Sequence, residues 1–208
     1  MKRLALATAI LLGLAGPGHA ADPVQLLFYT PHLSQTDPGL ELRYRHIRQG
    51  AVAAVVGPPL DEAILLRQEN AAGEPATVVT LDADGAGRQL DNFRGVPGNP
   101  ILMVFMETVV GSLSRATGGS PFYLRNRLKE SFAAGQVEES GAGKLIRLAP
   151  FAEDQNRHRM GPFADLVIEM TLDEARPGMF GALTASVRDE ANPELVHYLE
   201  EMRYVTAN

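Results

Sequence analysis

The chain has no cysteine and no tryptophan, and aromatic residues fill only 6% of its 208 positions. Without cysteine there is no disulfide and no site for a lipid anchor on sulfur. The fold must be held by its apolar core alone. The lack of tryptophan and the thin supply of aromatics argue against stacking platforms for bases or sugars. Reactive patterns are missing too. Neither Gly111-Ser112 nor Gly119-Ser120 completes G-x-S-x-G, and Ser120 reads better as a helix cap. His32, His46, His158 and His197 stand apart, with no H-E-x-x-H or paired spacing. Asp82-Ala83-Asp84-Gly85 opens like a calcium loop, but its twelfth position is Phe93 where a glutamate is required. A hairpin turn accounts for it better. The methionines at 103, 106, 160, 170, 179 and 202 are scattered through apolar segments, as core packing requires. A copper site would gather them. No metal or cofactor is expected, and no catalytic residue is assigned.

What is present begins with export. Met1-Lys2-Arg3 is a short basic start, Leu4–Ala15 a mostly apolar run, and Gly18-His19-Ala20 a small-x-small cleavage site. Together they predict a signal peptide over residues 1–20. The apolar run is too short for a bilayer span, which needs roughly 20 residues. The expected mature protein, 21–208, is a single domain, free in the periplasm or secreted. It is long enough to bury a sufficient core. Without Lys2 and Arg3, 17 of the 19 basic residues remain against 25 acidic ones, a balance of −8. That charge favours solubility and argues against nucleic acid as a partner.

One stretch organises the rest. In Gly98–Ala134, Asn99 caps a helix, Pro100 suits its first position, and Ile101–Leu113 is apolar on nearly every face of its first two turns. Phe105, Met106, Val109 and Leu113 are expected in the core. Gly118-Gly119 ends this helix, and Ser120-Pro121 starts a second, about 122–133. The second places Tyr123–Leu124, Leu128 and Phe132 on one side. The two form a helical hairpin at about 99–133.

Around it the chain is written as short strands: Gly39–Arg48, Asp61–Gln68, Ala76–Leu81, Arg88–Phe93, Lys144–Leu148, Leu166–Leu172 and Met179–Val187. Val24–Tyr29 reads as a strand or docking arm, Gly135–Gly143 as a loop, and Phe151–Pro162 as a solvated linker or short helix. Glu194–Val205 fits either period. As a strand it aligns Leu195, His197 and Leu199, and it would close the meander. His46 falls at the polar end of its strand. The carboxylate pairs Glu138-Glu139, Asp189-Glu190 and Glu200-Glu201 read as solvated surface. The expected class is α+β, with a curved, half-barrel-like antiparallel sheet wrapped around the central helical hairpin.

The set TPHL at 30–33, GNP at 98–100 before an apolar helix, and GGSPFYLRNRL at 118–128 resembles exported Gram-negative proteins of unassigned function. The resemblance covers most of the mature chain and implies no reaction. The expected architecture is also similar to that of the periplasmic lipoprotein carriers, which fold a half-barrel sheet over helices. A shared fold does not fix a function.

The expectation is a non-enzymatic periplasmic binding or accessory protein. Its ligand would be an acyl or other apolar chain, or its partner another exported protein. Tyr123, Arg125 and Arg127 are the candidate binding residues, suited to a phosphate, a carboxylate or an acidic segment. The alternative for the arginines is a helix surface pairing with Glu107 or Glu130. The alternative functions are a hydrolase assembled only in space, with His32 or His46 as base, and a purely structural envelope protein.

Overall fold

Strand β1, Glu41–Gln49, alternates strictly, sending Leu42, Tyr44, His46 and Arg48 to one buried face. The computed structural model describes residues 22–207 apart from positions 32, 34–38, 52, 72–73, 84–85, 96–97, 142, 174, 177–178, 190 and 193. The signal peptide expected over 1–20 lies outside the described residues. A short helix α1 (Ala53–Val56) leads to β2 (Leu60–Ala71), β3 (Glu74–Ala83) and β4 (Ala86–Arg94). Ala83 pairs with Ala86 across the Asp84-Gly85 position, the register of a tight hairpin.

The chain then leaves the sheet. Helix α2 spans Pro100–Thr117 and α3 spans Pro121–Ala133. The Asn99 side chain accepts from the Ile101 N–H at 3.1 Å, with Pro100 at the first helical position. Gly118 ends α2 at φ 68°, its N–H bonded to the Ser114 carbonyl. A side chain there would strain the left-handed backbone. At α3 the expected cap is only positional, because the Ser120 side chain makes no capping bond.

Strands β5 (Gln136–Ser140), β6 (Gly143–Leu148), β7 (Val167–Asp173), β8 (Met179–Arg188) and β9 (Val196–Ala207) complete the chain. All nine strands form one antiparallel sheet in the order β4-β3-β2-β1-β9-β8-β7-β6-β5. Two meanders thus meet along β1 and β9. The sheet is curved and not closed, with β4 and β5 as its edges, and α2 and α3 connect one edge to the other. The class is α+β.

Four segments differ from expectation for physical reasons. Gln25–Tyr29 is a single π-helical turn that buries Leu27 and sets Phe28 edge-on to Phe132 of α3, 5.0 Å between ring centres. Its apolar run is too short to show its period. Gln136–Ser140 is a strand, not a loop. As an edge strand it needs hydrogen bonds on one side only and no apolar face. Phe151–Pro162 is not a solvated linker; its short-helix alternative holds in part, as 3-10 helix. It folds as turns and 3-10 turns that bury Phe151 and Asp154. Strand β9 buries Tyr198, Glu200 and Met202, the opposite parity to the one expected.

One apolar cluster joins the sheet's inner face to α2 and α3, with Tyr44, Phe105, Phe180 and Tyr198 among its largest fully buried members. Phe105, Val109 and Leu113 are fully buried as expected. Met106 is only half-buried, because the face it shares with Met103 and Val110 turns away from the sheet.

Candidate functional site

A second apolar stripe of α2 runs beside the buried one, from exposed Met103 through half-buried Met106 to buried Val110. The three recur at helical spacing and line a groove with Leu128 and Phe132 of α3. The Gln25–Tyr29 turn, with Phe28 and Tyr29, forms the third wall of an open groove of about 520 Å³. No sheet residue lines it. The volume lies in the range of small-molecule sites, about 300–1,000 Å³. Met103 is 45% exposed and Tyr29 64%, so the apolar surface is open to solvent. Charge is confined to Glu107, Arg125 and Lys129.

The three sequence-selected residues separate here. Arg125 lies on the groove and forms a two-pronged pair with Glu107 of α2, at 2.7 and 2.6 Å. This pair holds the Glu107 carboxyl below its ordinary value, chiefly through the Arg125 hydrogen bond. Tyr123 and Arg127 do not line the groove. They converge on Asp154, which is buried: the Tyr123 hydroxyl lies 2.6 and 2.5 Å from its two oxygens, and Arg127 Nε lies 2.7 Å from Oδ2. Arg127 also bonds Glu130, and Asn156 donates to both Asp154 and the Tyr123 oxygen. Burial raises the Asp154 carboxyl, but the bonds from Tyr123 and Asn156 and the Arg127 charge outweigh it and hold the group low. This cluster ties α3 to the turns before β7. Both arginines thus find the glutamates expected of them, and Asp154 is the partner that only the fold supplies.

Sequence reasoning missed a buried polar assembly around Glu200. Glu200 is completely buried on β9, directly opposite Arg48 of β1. It accepts from Arg48 Nε and Nη2 at 2.7 and 3.0 Å, from the Tyr198 hydroxyl at 3.2 Å and from Ser112 Oγ of α2 at 3.3 Å. His46 bridges Glu200 through Nε2 and Glu62 through Nδ1, the latter at 2.9 Å. Burial raises the Glu200 carboxyl, yet the His46 and Arg48 bonds and charges prevail and lower it. The Tyr198 hydroxyl is pushed well up by burial and by the Glu200 charge. His46 is therefore not at a solvated strand end, and Glu200 is not surface. The detectable signal was parity, since Arg48 and His46 share the face of Leu42 and Tyr44, and Glu200 that of Tyr198 and Met202.

A serine, a histidine and a carboxylate in contact invite comparison with a hydrolytic triad. The connectivity is wrong for one. Ser112 donates to Glu200 rather than to the His46 imidazole, so no base is placed to take its proton. Ser112 is fully buried and His46 is 3% exposed, leaving no approach for a substrate. His32, the other candidate base, lies outside the described residues.

Among the described residues, no group of three histidine, cysteine or acidic side chains is placed to hold a metal ion. Likewise, no helix there is long and apolar enough to cross a membrane. Comparison of the chain with protein-family models and with curated proteins gave no match.

Proposed function

We propose that this chain is an exported, non-enzymatic binding protein of the periplasm whose ligand is apolar. The observation that carries the reading is the groove between α2, α3 and the Gln25–Tyr29 turn. It is walled by apolar side chains and open to solvent, the form that small-molecule sites usually take. In this reading the curved sheet serves as a half-barrel support around the α2–α3 hairpin, and the hairpin's outer face does the binding. Fully burying each ligand methylene contributes about 0.8 kcal/mol, so a chain of modest length suffices for micromolar affinity.

The test is titration with a neutral apolar fluorophore, N-phenyl-1-naphthylamine. Saturable one-to-one binding that weakens by about tenfold in Met106→Glu supports the reading. Met106 is half-buried against the core cluster, so the variant's urea midpoint is measured beside its binding, and Met103→Glu, at an exposed position, serves as the second variant. Absent or non-saturable binding in the unsubstituted chain overturns it, as does binding indifferent to the substitution.

A further inference from the structure

The groove carries charge at one place only, and that charge is unbalanced. Of its three ionised residues, Glu107 and Arg125 neutralise one another across the mouth, α2 to α3. Lys129 follows Arg125 by four residues on α3, on the same face. It is exposed and has no partner among the described residues. An unpaired ammonium gives the groove a local excess of one positive charge and is complementary to an anion attached to an apolar chain. The lysine stem can lie along the apolar wall while its head stays in water. The Glu107–Arg125 pair adds a second element. Its atoms are about half exposed, so water already competes for them, and the guanidinium fork accepts any carboxylate or phosphate of suitable geometry.

We propose, resting on the reading above, that the groove selects a single-chain amphiphile with an anionic head. The chain lies against Met103, Met106, Val110 and Phe28, and the head sits between Lys129 and Arg125, four residues apart on α3. The Glu107–Arg125 pair is a latch: the ligand's anionic head takes the place of the Glu107 carboxylate on Arg125. Glu107 thus competes with the ligand, and removing its charge strengthens binding.

Four ligands sharing one twelve-carbon chain separate head from tail: dodecanoate, dodecyl phosphate, dodecanol and dodecyltrimethylammonium. Each is titrated into the full chain by calorimetry below its micelle-forming concentration. The two anions are expected to bind about tenfold more tightly than the alcohol, and the cation more weakly still. Lys129→Gln should remove most of that gap, and Glu107→Gln should tighten both anions several-fold without changing the alcohol. The gap between carboxylate and phosphate heads then says which anion the site reads. Equal binding of all heads, or a gap indifferent to Lys129→Gln, overturns the anion selection and leaves the apolar site standing. No binding of any of the four overturns both. A dimer in sedimentation that Met103→Glu splits would make the groove a contact between two copies, and preferred binding of a peptide spanning 1–20 would give it to the chain's own start. Either result overturns the proposal.

Discussion

Helix α2 has two faces that reverse the usual placement of chemistry. Toward the sheet it sends Ser112 into a sealed polar assembly in which Glu200, His46, Arg48 and Tyr198 satisfy one another out of water. Away from the sheet, Met103, Met106 and Val110 line an apolar groove in contact with water. The polar residues are inside and the apolar ones outside. A buried carboxylate held by a guanidinium and an imidazole is costly to assemble and costlier to break, and it joins β1 to β9 at the Arg48–Glu200 pairing. An apolar groove left open costs solvation for no gain in folding, which is the physical ground for placing the proposed ligand site there. Titratable groups in contact do not make a site when nothing can reach them.

The largest effects should come from breaking the sealed side. Glu200→Ala leaves Arg48 and His46 without their shared partner, and urea unfolding should show a loss of about 3–5 kcal/mol. Phe105→Ala, from the fully buried stripe of the same helix, should cost a similar 3–5 kcal/mol through the cavity it leaves. A Phe105→Ala loss below about 1 kcal/mol would mean that the inner face is not a packed core.

Acid should act on the sealed side next. The Glu200 carboxyl is held below its ordinary 4.5 in the folded protein, so folding prefers its charged form. The stabilisation is complete above that value and is lost as pH falls through the lower, folded value. Urea midpoints measured downward from pH 6 should therefore drop most steeply below about 4.5. Glu200→Gln should flatten that slope. An unchanged slope would place the acid sensitivity elsewhere.

Substitutions in the groove should leave stability alone and change binding. Met103→Glu adds a charge where the side chain is already 45% exposed. The urea midpoint should hardly move, while N-phenyl-1-naphthylamine binding falls about tenfold. The smallest effect on folding is expected for Arg125→Ala, which should leave the midpoint within error and alter only the preference among ligand heads. A midpoint that falls with Arg125→Ala would turn the latch into a structural brace.

Much of the frame was legible because local rules sufficed for it. Asn99-Pro100 and Gly118 announce the ends of α2 through backbone geometry that few other residues adopt. Alternation in Glu41–Gln49 and in Val167–Asp173 marks strands with one wet and one dry face. β5 was hidden because its pairing comes from β6 rather than from its own residues, and the Gln25–Tyr29 turn because four consecutive apolar residues carry no readable period.

The sequence by itself determined an antiparallel α+β chain, an apolar central helix and, through the absence of cysteine, the absence of thiol chemistry. Tertiary structure alone decided which neighbours each polar group received. Arg48 and Glu200 are 152 residues apart, and only the pairing of β1 with β9 brings them opposite one another. Likewise, Met103 and Phe105 differ little as apolar residues on one helix. One is exposed and one buried because the sheet covers a single side of α2, and a helix cannot encode which side its partners will occupy.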